Sequence, residues 1–382
     1  MNPLPKPSAP SSLAGAAEGL WFNPHVAALP VYNAGLSVSA ARAISGHQDI
    51  ARLGSNENPH GCSPDVLRAL SGAAFEPWRY SDPVCTDLRA ALSRHTGVPA
   101  QEIVVGNGSE EMIAAVSRAF LTVDSTAVTV VPSFGLHEIE PLAIGAKVIK
   151  VPMTADMGFD VAGLERALAA KPQILLLSSP WNPVGSALSL EDLMRIAKAC
   201  SPSTLFMLDE AYFEFAAPDV PNGIEVLRAS GIAHVVLRSF SKAYGLAGLR
   251  VGFAACSNPE IARVVAAAKT PFNVNLAAQI GAIAALGDDA WMKDTVQRIR
   301  AERERTRAGL TAIGLKPAPS YANHLFFDCG TDAGDLGIKL LQDGIIVKAW
   351  RERGYETFLR ASTGLPQEND RIVASLKKHL NR

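Results

Sequence analysis

Five short apolar runs, each ending in polar or glycine-rich residues, constrain the fold of this chain more than any other feature. The runs occupy residues 101–105, 126–131, 173–179, 204–212 and 234–242, and helical patterns lie between them. Near-continuous apolar strands that alternate with helices predict a mainly parallel sheet covered on both faces, hence an α/β fold. Because open α/β sheets bind ligands at the carboxyl ends of their strands, the polar ends predict one shared site.

The pattern changes after about residue 272, where helical stretches are followed by short strands. The chain has 382 residues, which is long enough for two domains. We expect an N-terminal arm at 1–50, a large domain at 51–272 and a smaller α+β domain at 273–382. The short strands of the smaller domain are predicted at 324–328, 344–350 and 356–362.

Composition argues against several classes of function. Lysine and arginine number 36 against 37 aspartate and glutamate, so no basic surface for nucleic acid or an anionic membrane is expected. No apolar run reaches the roughly 18 residues that span a bilayer. The five cysteines are widely spaced and form no C-x-x-C pair, so neither disulfides nor a metal site is expected, and we predict a cytoplasmic protein.

The segment from Ser239 through Lys242 to Arg250 is the most specific motif in the chain. A lysine at a buried strand end is costly unless it has a task. Schiff-base chemistry needs such a lysine, because desolvation lowers its pKa and frees the amine for attack. The hydroxyls of Ser239 and Ser241, with Arg250, could complete a phosphate cradle.

A glycine-rich turn at 106–111 links a predicted strand to a predicted helix. Glycine lets the backbone approach a ligand closely, and the N–H groups at a helix start suit a phosphate. A tight turn with Ser109 as the helix N-cap explains the same residues nearly as well. This turn alone therefore leaves both interpretations open.

Three polar residues near strand ends complete the pattern. Asp209 ends an apolar strand, where a carboxylate is expensive without a cationic partner such as a protonated pyridine nitrogen. Tyr212 and Asn182 could both hydrogen-bond a phenolic oxygen on the same ring. Taken singly, each of these two is better explained as structural, but together with Lys242 and Asp209 they indicate a pyridoxal cofactor.

Seven segments, in order along the chain, resemble the motif series of the class I/II aminotransferases. These enzymes have the fold-type-I architecture and depend on pyridoxal 5′-phosphate (PLP). Within the family the series is most similar to the histidinol-phosphate aminotransferases, which act in histidine biosynthesis with 2-oxoglutarate as amino acceptor. The matching segments are 53–59, 79–83, 106–111, 179–185, 209–212, 239–250 and 358–360.

The resemblance implies a role for each matching residue. Lys242 would hold PLP covalently and act as the general base, Asp209 would pair with the pyridine nitrogen, and Tyr212 would complete the catalytic set. Phe134 would stack on the ring, and Asn182 would share its phenolic oxygen with Tyr212. The residues expected at the cofactor phosphate are Gly108, Ser109, Glu110, Ser239, Ser241 and Arg250.

The resemblance also implies a homodimer whose active sites lie at the subunit interface, with the N-terminal arm making dimer contacts. Tyr80 would reach the phosphate of the partner subunit. Arg360 would bind a substrate carboxylate, close to Asn182. Tyr32, on the arm, is expected either near the substrate or in dimer packing.

Two positions depart from the family pattern. Trp181 stands where the family usually has asparagine, which would alter the wall of the site. Lys348 stands where the family places an arginine for the substrate phosphate, and Arg351 and Arg353 follow it closely. Because lysine is a point charge and not a bidentate fork, recognition of a phosphate would be weakened or rebuilt.

Three alternatives to a histidinol-phosphate aminotransferase stay open from the sequence. An aromatic amino acid aminotransferase would use Trp181 and other apolar walls. A PLP-dependent decarboxylase of a phosphorylated amino acid would turn the substrate carboxylate out of the ring plane. A non-catalytic aminotransferase-like sensor would need a DNA-binding segment, and the start of this chain has no basic stretch.

Overall fold

The computed structural model describes residues 21–30, 35–72, 76 and 78–382. The strands are β1 (Ala51–Arg52), β2 (Ile103–Gly106), β3 (Thr126–Val131), β4 (Lys147–Pro152), β5 (Ile174–Ser178), β6 (Leu205–Asp209), β7 (His234–Ser239), β8 (Gly252–Cys256), β9 (His324–Asp328), β10 (Ile345–Ile346), β11 (Lys348–Ala349) and β12 (Phe358–Ser362). The helices are α1 (Pro24–Ala27), α2 (Val38–Ser45), α3 (Pro64–Gly72), α4 (Thr86–Thr96), α5 (Gly108–Phe120), α6 (Leu136–Ile144), α7 (Val161–Leu168), α8 (Leu190–Ala199), α9 (Phe213–Ala216), α10 (Gly223–Ser230), α11 (Pro259–Ala268), α12 (Leu276–Gly287), α13 (Asp289–Ala312), α14 (Ala333–Gln342) and α15 (Pro366–His379).

A seven-stranded sheet dominates the fold, with strand order β2-β8-β7-β6-β5-β3-β4. The strands from β7 to β4 pair in parallel, and β8 runs antiparallel to both β2 and β7. The predicted α/β class and mainly parallel sheet are therefore confirmed.

Alternating apolar side chains divide this sheet between two hydrophobic cores. On β5, Leu175 and Leu177 pack into one core, while Ile174 and Leu176 pack into the other. The strands β6 and β7 alternate in the same way, with Phe206 on one side and Met207 on the other. Because both faces are covered by helices, the central strands are apolar throughout. Their continuous apolar runs are the reason that these strands could be predicted from the sequence.

Two strands of the large sheet were missed by the sequence analysis, each for a physical reason. Strand β4 lies at the sheet edge, where exposed lysines at 147 and 150 interrupt the apolar pattern. Strand β8 consists mainly of small residues with low strand propensity. Its Gly252 is required by close packing, because a Cβ at that position would lie 2.5 Å from the backbone nitrogen of Ser109.

A second layer forms around the antiparallel sheet β11-β12-β9. The short strand β1 pairs in parallel with β10, and Ala51 and Leu53 belong to the same core as β9 and β12. Lys348 on β11 lies directly opposite Arg360 on β12. The division of the chain at residues 50 and 272 remains a prediction, and the segment around Leu53 packs with the C-terminal strands.

No helix in the described part of the chain is long and apolar enough to cross a membrane. All five cysteines have free thiols.

Candidate active site

A cavity of about 960 Å³ opens at the carboxyl ends of the parallel strands. Polar residues that follow β2, β3, β5, β6 and β7 line one side of it, and residues of β11 and β12 line the other. The predicted site residues among the lining are Gly108, Ser109, Glu110, Phe134, Asn182, Asp209, Tyr212, Ser239, Ser241, Lys242, Arg250, Lys348 and Arg360.

Two predicted residues are not part of this cavity as the structure describes it. Tyr80 is 84% exposed and stacks on Phe272, with 4.4 Å between the ring centroids. Its predicted contact is with the cofactor phosphate of a partner subunit. Tyr32 lies outside the described residues.

Lys242 follows β7 and places its amine in the cavity. Its Nζ donates a hydrogen bond of 3.0 Å to the Ser55 carbonyl oxygen. Desolvation and the neighbouring Arg360 cation, opposed by the negative charge of Glu57, together lower the pKa of Lys242 to about 8. With a pKa of about 8, roughly a tenth of the amine is uncharged at pH 7, and this fraction can act as a nucleophile or base.

Asp209, at the end of β6, is buried at 5% exposure. Its Oδ1 accepts a hydrogen bond of 3.0 Å from the Ala211 N–H, and its Oδ2 lies 3.4 Å from His137 Nε2. The sequence analysis did not identify His137, which lies in the first turn of α6, shortly after Phe134. Its place three residues after Phe134 was the only signal in the sequence.

The start of α5 has the features of an anion site. The N-cap residue Asn107 makes no side-chain cap hydrogen bond, and its Nδ2 donates instead to the Asn273 carbonyl oxygen. The alternative in which Ser109 caps the helix is therefore wrong, because α5 already begins at Gly108. The backbone N–H groups and the helix dipole at this end favour a phosphate.

Arg250 lies directly over this helix start. Its Nη2 is 3.1 Å from Glu110 Oε2, and a Cβ at Gly108 would lie only 2.6 Å from that same nitrogen. Gly108 also has a φ of +79°, which favours glycine. The Arg250 guanidinium, the start of α5, Ser239 and Ser241 all line the same cavity.

Arg360 extends from β12 into the opposite side of the cavity and is held in a fixed orientation. Its Nη1 donates to Asn182 Oδ1 at 2.7 Å, and its Nη2 donates to the Gly54 carbonyl oxygen at 2.7 Å. Lys348 lies beside it on the neighbouring strand. Burial lowers the pKa of Lys348, and the positive charges of Arg360 and Arg351 lower it further. An anionic ligand at this wall would relieve that repulsion.

The structure shows where the two departures from the family pattern lie relative to the cavity. Trp181 is fully buried, donates from Nε1 to the Pro132 carbonyl oxygen at 2.8 Å, and packs on Phe159. The expectation that Trp181 forms part of the site wall is wrong, because its ring packs behind the chain that presents Asn182. Among the C-terminal cations, Lys348 and Arg351 line the cavity, whereas Arg353 does not.

The arrangement fits PLP on its own chemistry. It offers an amine of lowered pKa at Lys242, a buried carboxylate at Asp209 that suits a cationic ring nitrogen, and an uncapped helix start with Arg250 for a phosphate. Phe134 supplies an aromatic face at the same cavity.

Comparison with known proteins agrees with this geometry. The family model "Aminotransferase class I and II" matches residues 48–376. Histidinol-phosphate aminotransferase 3 of Rhizobium meliloti (strain 1021) is 42% identical over 348 residues, which cover 91% of this chain and 94% of the relative. Histidinol-phosphate aminotransferase 1 of Mesorhizobium japonicum is 39% identical, with 91% and 95% covered.

Solved structures give the same result. The crystal structure of histidinol-phosphate aminotransferase from Sinorhizobium meliloti in complex with pyridoxal-5′-phosphate superposes with a TM-score of 0.86 at 30% identity, covering 95% of this chain and 99% of that chain. The structure of L-threonine-O-3-phosphate decarboxylase from Porphyromonas gingivalis is similar in fold, with a TM-score of 0.75 at 24% identity over 87% of this chain and 100% of that chain. The fold, the strand-end constellation around Lys242 and the family match over most of the chain together show that this protein belongs to the class I and II aminotransferases.

Proposed function

We propose that this aminotransferase uses PLP to transfer the amino group of L-histidinol phosphate to 2-oxoglutarate, giving imidazole acetol phosphate and glutamate. The observation that carries the choice of donor is the cationic wall of Lys348, Arg351 and Arg360, which faces the same cavity as Lys242. Relatives named histidinol-phosphate aminotransferase at 42% and 39% identity support the same donor. The free thiols fit a reducing compartment, and we place the reaction in the cytoplasm.

The residues divide the work of cofactor binding between them. Lys242 would link to PLP, Asp209 would face the ring nitrogen, and Phe134 would cover the ring. The start of α5, Ser239, Ser241 and Arg250 would bind the cofactor phosphate. When bound, PLP supplies an electron sink for the carbon that loses a proton.

Lys242 then carries the proton chemistry. In its uncharged form, which a pKa of about 8 makes accessible, its amine would accept a proton from the donor's amine-bearing carbon. The carboxylate of Asp209 would keep the ring nitrogen of PLP protonated. His137 Nε2 lies 3.4 Å from Asp209 Oδ2.

The cationic wall would distinguish substrates by charge. A phosphate dianion on the donor can bind Lys348 and Arg360, which lie opposite each other on adjacent strands. The carboxylate of 2-oxoglutarate can bind Arg360, which Asn182 and Gly54 already orient. An aromatic amino acid offers only a carboxylate, so it leaves the charge of Lys348 without a ligand anion.

A shared dimeric site is supported by exposed aromatic residues next to Tyr80. Trp78 is 74% exposed, and Phe272 is 43% exposed beneath the Tyr80 ring. Large exposed apolar clusters of this kind mark protein–protein contacts. We therefore assign Tyr80 to the cofactor phosphate of a second copy of this chain.

The cofactor assignment predicts a single site of covalent attachment. Borohydride reduction of the PLP-loaded enzyme, followed by peptide mass mapping, should place a pyridoxyl group on Lys242. Lys348, which lines the same cavity, serves as the internal control and should stay unmodified. Attachment at another lysine, or at none, would contradict the assignment.

The donor assignment predicts a selective effect of Lys348→Ala. A hydrogen bond to a charged group contributes about 1.5–3 kcal/mol, so kcat/KM for histidinol phosphate should fall about tenfold to a hundredfold. The value for phenylalanine, which has no phosphate, should change little. Glutamate formation from 2-oxoglutarate measures both.

Arg353→Ala is the matched control, since Arg353 is exposed and does not line the cavity. It should leave both donors unchanged. Equal losses for both donors in Lys348→Ala would remove Lys348 from phosphate recognition. A preference of the unmodified enzyme for phenylalanine or tyrosine would make it an aromatic aminotransferase instead.

The shared site predicts complementation between two damaged variants. Tyr80→Phe and Lys242→Ala subunits, unfolded and refolded together, should form heterodimers in which one of the two sites contains neither lesion. PLP affinity and transamination should both recover relative to either variant alone. Sedimentation of the unmodified enzyme as a monomer, or mixtures that behave as the average of the two parents, would refute the arrangement.

A further inference from the structure

A buried polar network lies behind Tyr212 and is not explained by cofactor or substrate contacts. It joins Asn56, which precedes α3, to His324 and Ser362 at the facing ends of the neighbouring strands β9 and β12. Asn56 is 1% exposed and His324 is fully buried. Unpaired polar groups are costly when buried, so each hydrogen bond in the network needs a donor matched to an acceptor. The donors and acceptors present therefore determine the direction of each bond.

His324 sets the direction at one end. Burial lowers the pKa of His324 well below its usual value, and the nearby cations Arg360 and Lys242 lower it further, so the ring is neutral. Its Nδ1 lies 3.0 Å from Asn56 Nδ2, and an amide nitrogen can only donate. Nδ1 is therefore the acceptor, and the single ring proton of neutral His324 is on Nε2.

The Asn56 side chain connects His324 to Tyr212 through hydrogen bonds. Its Nδ2 lies 3.0 Å from His324 Nδ1 and 2.8 Å from the Tyr212 hydroxyl, so its two amide hydrogens serve these two acceptors. The amide oxygen accepts from Ser362 Oγ at 2.9 Å, and Ser362 Oγ accepts from the Asn56 backbone N–H at 2.7 Å. The backbone carbonyl oxygen of Asn56 accepts a hydrogen bond of 3.0 Å from Asn323 Nδ2.

The Tyr212 hydroxyl therefore accepts a hydrogen bond from Asn56. A phenol has one hydrogen, and with Asn56 as the donor to its oxygen that hydrogen is directed to another group. Had the Asn56 oxygen faced Tyr212, the phenol would have donated backward into the network. The orientation of one amide thus decides which way the phenol donates.

We propose that Asn56, oriented by His324 and Ser362, is a positioning residue that makes the Tyr212 hydroxyl a hydrogen-bond donor to the phenolic oxygen of PLP. This inference rests on the proposed function, because it assigns a role toward the cofactor. A donor at that oxygen stabilises its negative form and so lowers the pH at which the lysine-linked cofactor loses its proton.

The tautomer of His324 tests the first link without any cofactor. In the apoenzyme labelled with ¹⁵N-histidine, with the resonance assigned by its loss in His324→Gln, the ring should be neutral with the proton on Nε2. It should not titrate in the range around pH 6.5, because burial and the nearby cations lower its pKa well below that ordinary value. A proton on Nδ1, or a protonated ring in this range, would overturn the inference whether or not the chain is an aminotransferase.

A double-mutant cycle tests the second link. Asn56→Asp replaces the donor to Tyr212 by an acceptor of the same shape, and aspartate also tolerates the Asn56 φ of +54°. The spectroscopic titration of the lysine-linked cofactor should then shift upward. Losing a hydrogen bond to a charged oxygen corresponds to about one to two pH units.

The same change in a Tyr212→Phe background separates this effect from the added charge. There the shift caused by Asn56→Asp should be smaller by about one pH unit, because no phenol remains to be redirected. Asn58→Asp is the matched charge control, since Asn58 bonds the Ala243 carbonyl and not Tyr212. It should shift the titration equally in both backgrounds.

Equal shifts from Asn56→Asp with and without the Tyr212 hydroxyl would refute the positioning role. The inference and the proposed function fail in different ways. An enzyme that links PLP to Lys242 but shows no coupling keeps the function and loses the role of Asn56.

The acceptor at His324 can be tested by comparing two substitutions. If His324→Leu shifts the cofactor titration, His324→Gln, which retains an acceptor, should shift it much less. A failure of glutamine to do so would show that packing and not acceptance is what His324 supplies.

Discussion

The site depends on an uncharged amine at Lys242. The cavity that holds this amine is also lined by cationic side chains that suit anionic ligands. Desolvation and Arg360 together hold the pKa of Lys242 at about 8. Arg360 and Arg250, which are proposed to bind substrate and cofactor anions, also lower the Lys242 pKa, so anion binding and amine activation share an electrostatic cause. Arg360 can serve both needs because Asn182 and Gly54 fix its direction.

The parallel sheet makes this arrangement possible. Two hydrophobic cores fix the strands β5, β6 and β7 from both faces, and the register aligns Ser178 with Asp209 and Asp209 with Leu237. Residues just beyond these strand ends must therefore lie side by side. This is why motifs far apart in the sequence predicted one cavity. The boundaries of β3, and those of β9 in the antiparallel sheet, were also predicted to the residue.

Other parts of the site could not be predicted, because they depend on contacts that leave no local pattern. Asn56 meets Ser362 across 306 positions of the chain and His324 across 268. Trp181 follows a strand end as Asn182 does, yet its indole turns into the core, and only packing decides between the two directions. Tyr80 is expected to act in a second subunit, so one chain places it at the surface.

The central claim is that burial and neighbouring cations keep the Lys242 amine reactive at neutral pH. The rate at which apoenzyme links PLP at saturating cofactor, followed by absorbance as a function of pH, measures this directly, because only the neutral amine attacks a carbonyl. The account predicts a rate that is low when the amine is protonated and rises with a midpoint near pH 8. A midpoint close to 10.5, the ordinary value for lysine, would show that the cavity does not perturb Lys242 and would contradict the account.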